Sequence, residues 1–246
     1  MSVAVVLLAA GYSTRLYPLT RDRPKALLPL AGATILDAIV RQVDGVPEVS
    51  ASLLVTNRRF AGQFAEWQRR TGARVRIVDD GTETAGTRLG AIRDLELAAA
   101  QAGAGDDLLV IGTDNLFRWP LAAFVAQAQA ARPDPAIALW RAPSAQAATQ
   151  FGVVVRDARG RITLFAEKSP QPPSAEVALC VYYFPAAMRG RIREFLDGGG
   201  QADAPGYFIE WLARRGAVVG MLMPGAWYDI GSLDAYQTVL REWEGP

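Results

Sequence analysis

The chain contains no histidine and a single cysteine, Cys180. Without histidine there is no Ser-His-Asp triad, no Cys-His dyad and no His-ligated zinc. One cysteine excludes an intrachain disulfide framework and suits a cytoplasmic setting. An excess of charge of either sign is also missing, since 26 Lys and Arg face 25 Asp and Glu for a net charge of +1. A general polyanion binder is therefore not expected, and nucleic acid is not the expected partner. No apolar run is long enough to cross a bilayer, so no membrane association is expected. The N-terminus lacks the basic start and small-residue cleavage site of a secretory signal. An enzyme of this composition works with carboxylates, Lys, Arg, backbone N–H groups and a hard metal ion, the tools of phosphate chemistry.

What is present is a chain of 246 residues, 50% of them hydrophobic, ample for a buried core in one α/β domain over 1–246. Val3–Leu8 reads as a buried strand, and Thr34–Val43 as a helix with Thr34 as its N-cap. Further strands are expected at Ser52–Thr56, Arg74–Val78 and Asp107–Ile111. Helices are expected around Phe60, Phe64 and Trp67, around Leu89, Ile92 and Leu95, and over Leu121–Ala130. Alternating strands and helices argue for a mostly parallel sheet covered on both faces. After Pro133 the texture changes to short strands at Ala136–Trp140, Gly152–Arg156, Arg161–Phe165 and Val177–Phe184. Helices return at Pro185–Leu196, Tyr207–Arg214 and Leu233–Trp243. In open sheets of this kind, ligands bind at the carboxyl ends of the strands.

The turn after Leu8 has small residues at 9–11, which let backbone approach a ligand, and then Arg15, Arg21, Arg23 and Lys25. Turn N–H groups cradle phosphate oxygens, and a guanidinium fork matches phosphate geometry. A tight turn with solvated basic residues is the plain alternative. The turn is neither a G-x-x-x-x-G-K-(S/T) loop nor a G-x-G-x-x-G fingerprint.

Leu8-Ala9-Ala10-Gly11-Tyr12-Ser13-Thr14-Arg15-Leu16-Tyr17-Pro18-Leu19-Thr20, followed by Pro24-Lys25-Ala26-Leu27-Leu28-Pro29, resembles the opening signature of the sugar-phosphate nucleotidyltransferases. That signature runs L-A-(A/G)-G-x-G-(S/T)-R-L-x-P-(L/A)-T, then P-K-x-(L/M)-x-P, and Ser13 stands where a second glycine is usual. The resemblance implies a Rossmann-like, mostly parallel sheet flanked by helices, with a nucleotide-binding half (1–131) and a mixed, β-rich sugar-phosphate-binding half (132–246). It implies that Leu8, Ala10, Gly11, Ser13, Thr14 and Arg15 hold a nucleoside triphosphate. It also implies that Lys25 reaches the reacting phosphates.

Two acidic positions fit the same pattern. Asp114 follows the strand at Asp107–Ile111, and Asp229 stands in Trp227-Tyr228-Asp229-Ile230-Gly231. On its own Asp114 also reads as an ordinary strand-end turn; by resemblance the pair holds one Mg²⁺. Phe165-Ala166-Glu167-Lys168 and Gly152 resemble the family's sugar-phosphate contacts, with Lys168 on the phosphate and Glu167 on a sugar hydroxyl. The base is expected near residues 79–92, where Asp80, Gly81, Thr87 and Arg88 depart from the family's usual residues.

The implied reaction joins a nucleoside triphosphate to a sugar 1-phosphate and releases pyrophosphate, with Arg15, Lys25, Asp114, Lys168 and Asp229 as the catalytic set. A cytidylyltransferase acting on a phosphorylated alcohol, of the phosphocholine or inositol phosphate type, and a non-catalytic sugar-nucleotide-binding regulatory subunit stay open. So do the base, the sugar and assembly as a homo-oligomer.

Overall fold

A computed structural model describes residues 1–216 and 218–243. The first half comprises β1 (Val3–Leu8), the two-residue strands β2 (Pro29–Leu30) and β3 (Ala33–Thr34), α1 (Ile35–Asp44), β4 (Val49–Thr56), α2 (Arg58–Thr71), β5 (Arg76–Asp79), α3 (Ala91–Ala99), β6 (Asp107–Gly112), β7 (Asn115–Phe117) and α4 (Leu121–Ala130). The second half comprises β8 (Ala136–Arg141), β9 (Gly152–Arg156), β10 (Ile162–Glu167), β11 (Glu176–Phe184), α5 (Arg189–Asp197), α6 (Pro205–Ala213), β12 (Val219–Leu222), β13 (Trp227–Asp229) and α7 (Leu233–Glu242).

Among the described residues, nine strands share one sheet along the path β10-β9-β11-β6-β1-β4-β5, with β8 beside β11 and β12 beside β8. β6, β1, β4 and β5 run parallel, and β11 joins β6 antiparallel, which carries the second half into the same sheet. β1 is buried on both faces, as its Val- and Leu-rich sequence requires. Val3, Val5 and Leu7 belong to one hydrophobic cluster with Ile39 of α1, Phe64 of α2, Phe124 of α4 and Val239 of α7. Ala4 and Val6 pack with Ile92 of α3, Ile192 of α5 and Ile209 of α6. The order of β4, β1 and β6 places the topological switch between β1 and β6, so a crevice is expected at their carboxyl ends.

The cap at Thr34 forms as expected: its Oγ1 accepts from Asp37 N at 3.2 Å, and Asp37 Oδ2 accepts from Thr34 N at 2.8 Å. Three expectations are corrected. Leu89 lies before α3 and is exposed, because Gly90 is the N-cap of that helix. The helix expected from Pro185 starts at Arg189, after a short 3₁₀ turn at Ala186–Met188. The third strand is displaced to Arg76–Asp79. Strands β2, β3, β7, β12 and β13 were not expected.

Candidate active site

A cavity of about 540 Å³ opens where β1 and β6 end. Leu8, the 10–16 loop, Lys25 and Asp114 line it together with Arg88 and Asp203. The loop is anchored from β4: Asn57, fully buried, donates from Nδ2 to Ala10 O at 2.9 Å while its Oδ1 accepts from Phe60 N at 3.1 Å to cap α2. Ser13 adopts the left-handed conformation, φ +48°, which explains why glycine is usual at this point of the signature. Thr20 Oγ1 holds that turn by donating to Ser13 O at 2.7 Å. Arg15 is exposed in the cavity wall and makes no hydrogen bond or ion pair among the described residues.

Asp114 and Asp229, far apart in sequence, are brought together by the β7–β13 pair. Asp229 stands opposite Asn115, and Ile230 N donates to Asp114 O at 2.9 Å. Lys25 Nζ joins the two strands, donating to Asp114 Oδ2 at 2.8 Å and to Ile230 O at 3.1 Å. Asn115 fixes the carboxylate of Asp114 by donating from Nδ2 to Oδ1 at 2.8 Å. Asn115 is itself held, since its Oδ1 accepts from Trp227 Nε1 at 2.9 Å and Cys180 N at 3.2 Å.

The charges are unequal. Burial pushes Asp114 up, but the charge and hydrogen bond of Lys25 outweigh it and hold the carboxyl below its usual range. Asp229 is pushed up to about 6, first by burial and then by repulsion from Asp114. The charges of Lys25, Arg15 and Lys168 offset part of that rise, so all three stand near Asp229. Among the described residues no third His, Cys, Asp or Glu joins the two aspartates in a group able to hold a metal. Two adjacent carboxylates that repel each other fit Mg²⁺, which takes one or two protein carboxylates and completes its shell with water and substrate phosphates.

Gly152 and Glu167 lie opposite each other on β9 and β10. A Cβ at Gly152 would stand 2.9 Å from Glu167 Oε2 and 2.7 Å from Phe165 Cζ, so only glycine leaves room for this approach. Burial raises the Glu167 carboxyl above its ordinary value. Lys168 follows in the left-handed region, φ +47°, exposed and 3.8 Å from Glu167 Oε1.

The expected base-side residues are less available. Asp80 Oδ1 already accepts from Thr82 N at 2.7 Å and Thr82 Oγ1 at 2.8 Å, and its Oδ2 is buried without a partner. Gly81 forms the turn after it, with φ +81°. Thr87 is tied to Thr84 within a short 3₁₀ turn. Arg88 lines the cavity but forms a two-pronged ion pair with Asp203, at 3.2 and 2.9 Å.

The model of the nucleotidyl transferase family matches residues 4–244. The chain belongs to that family. It is 26% identical over 228 residues to the bifunctional protein GlmU of Methanocaldococcus jannaschii, covering 92% of this chain and 50% of that one. It is 25% identical over 244 residues to the low-salt glycan biosynthesis nucleotidyltransferase Agl11 of Haloferax volcanii, covering 96% of this chain and 66% of that one. The chain thus spans about half to two-thirds of the length of these relatives. A solved UDP-glucose pyrophosphorylase complexed with UDP-glucose has the same fold, with a TM-score of 0.80 at 18% identity, covering 99% of this chain and 98% of that one.

In this member of the nucleotidyl transferase family, three polar residues that sequence reasoning passed over shape the site. Asn57 caps α2 locally but reaches the loop at Ala10 across 47 residues, and Asn115 bonds its neighbour Asp114 while Trp227 and Cys180, 112 and 65 residues further on, hold it in place. Asp94, in the first turn of α3, lines the cavity while only 6% exposed. Its signal was a carboxylate set between Ile92 and Leu95 on the helix that follows the expected base loop.

Proposed function

We propose that this chain transfers a nucleotidyl group from a nucleoside triphosphate to a sugar 1-phosphate. An oxygen of the sugar phosphate bonds to the α-phosphorus in line with the departing oxygen, and pyrophosphate leaves with the electron pair of the broken P–O bond. The observation that carries this reading is the convergence of Lys25, Asp114 and Asp229 beside a loop whose Arg15 has no partner among the described residues. Family membership and the names of the relatives support it.

The nucleophile needs no general base, since a phosphate monoester is largely dianionic near neutrality, with a second pKa of ~6. A chain without histidine therefore has no handicap. Cys180 is no rival nucleophile, because burial and then the charge of Asp114 push its thiol up to about 12. Arg15 and the 10–14 amides bind the triphosphate, Lys168 receives the sugar phosphate with Glu167 on a hydroxyl, and Lys25 offsets charge at the reacting centre. Asp114 and Asp229 would hold Mg²⁺, which when bound supplies further positive charge to the phosphates. The halves 1–131 and 132–246 act as one catalytic unit, in the cytoplasm, where nucleoside triphosphates are supplied.

Incubation with Mg²⁺, each nucleoside triphosphate and a panel of sugar 1-phosphates is expected to yield pyrophosphate and nucleotide sugar in equal amounts. Ligand binding with no turnover for any pair would instead favour a regulatory subunit. Turnover only with phosphocholine or inositol phosphate would move the acceptor to the phosphorylated alcohols.

A further inference from the structure

One carboxylate in the cavity wall has no part in the chemistry above. Asp94 is 6% exposed and lines the same cavity as the 10–16 loop, so a nucleotide held there by its phosphates has its base within the reach of α3. Asp94 Oδ1 is buried without a hydrogen-bond partner, and no side-chain hydrogen bond or ion pair reaches Asp94 among the described residues. Asp80 lies close by, with its own Oδ2 buried and unpartnered. Burial and then the charge of Asp80 push Asp94 up to about 7. The site therefore holds hydrogen-bond acceptors that lack donors.

Above pH 7, and with N–H donors facing it, Asp94 is ionised, and an ionised carboxylate accepts and cannot donate. Guanine is the one common base that sets two N–H donors side by side, N1–H and the 2-amino group, at a spacing one carboxylate can span. Uracil and thymine flank N3–H with two carbonyls. Cytosine and adenine place an acceptor nitrogen next to the amino group. Each of these would set a lone pair against an Asp94 oxygen, and an acceptor left unpaired in a buried site discriminates strongly.

We propose that Asp94 reads the base of the nucleoside triphosphate as guanine, accepting from N1–H and the 2-amino group. This inference rests on the nucleotidyltransferase reading and adds the base to it. Asp80, expected near the base, has one oxygen taken by Thr82, and Asp94 is the acid left to face the cavity.

The test is calorimetric titration, with Mg²⁺ present, of the protein and its isosteric variant Asp94→Asn with GTP, ITP, XTP, ATP, CTP, UTP and dTTP. The unaltered protein is expected to bind GTP at least tenfold more tightly than ITP, which lacks the 2-amino group, and than the other four natural nucleotides. Asp94→Asn is expected to lose at least tenfold toward GTP and to gain affinity for XTP, whose 2-carbonyl accepts from the new amide. A role in folding alone would not produce that exchange. Equal binding of GTP and ITP, preference for another base, or an Asp94→Asn variant with unchanged ranking overturns the proposal. Such results leave nucleotidyl transfer standing if a different triphosphate turns over, whereas failure of every triphosphate to bind removes both readings.

Discussion

Replacing Asp94 by asparagine should stabilise the unliganded protein, and more so at high pH. In the folded chain the carboxyl stands at about 7 against an ordinary 3.8, because it is buried without a donor and next to Asp80. The folded state therefore binds the proton more tightly than the unfolded state. Below pH 3.8 both states are protonated and the site is neutral toward folding. As pH rises from 3.8 to 7 the unfolded chain ionises first, and stability falls across that window. At pH 8 the full difference of about 3 pKa units applies, an upper bound of ~4 kcal/mol at ~1.4 kcal/mol per unit. At pH 5 only the first part of it, ~1–2 kcal/mol, has developed. Asparagine has no ionisation to suppress, so the pH-dependent part disappears. Urea unfolding of both proteins at pH 5 and pH 8 measures this directly. A stability difference between them that is the same at the two pH values refutes the reasoning, as does an asparagine variant that loses more stability at pH 8 than at pH 5.

Lys25→Ala should lower turnover by about two to three decades, the usual effect of removing one group that offsets charge in the transition state. Circular dichroism should show the fold retained, and near-normal steady-state kinetics would contradict the role. Asn57→Ala should destabilise the protein by ~2 kcal/mol, from ~1 kcal/mol for the lost α2 cap and ~1 kcal/mol or more for the unpaired Ala10 carbonyl. Denaturant titration checks it, and a loss below ~0.5 kcal/mol, the range of an inconsequential surface change, would show that Asn57 anchors nothing.

Much of the scaffold was legible because its signals are local. A β-branched run ending in small residues marks β1, and Thr34 with Asp37 three residues on marks the start of α1. Asp114 and Asp229 were named as a pair only through motif resemblance. The device that unites them, the three-residue strands β7 and β13, leaves no periodicity to read. Asp80 and Asp94 show the opposite limit. Both are acids near the expected base loop, and only the fold reveals that Thr82 occupies one oxygen of Asp80 while Asp94 reaches the cavity wall without a partner. For Arg88 the sequence left a ligand contact and a surface ion pair equally open, and the fold brings Asp203 against it.

The central claim is a single direct displacement in which the protein contributes charge and position and no nucleophile of its own. Turnover of one stereoisomer of an α-thio nucleoside triphosphate, with ³¹P NMR of the nucleotide sugar, reports the configuration at the α-phosphorus. Inversion is the predicted result. Retention would require two displacements through a covalent nucleotidyl-enzyme and would contradict the account.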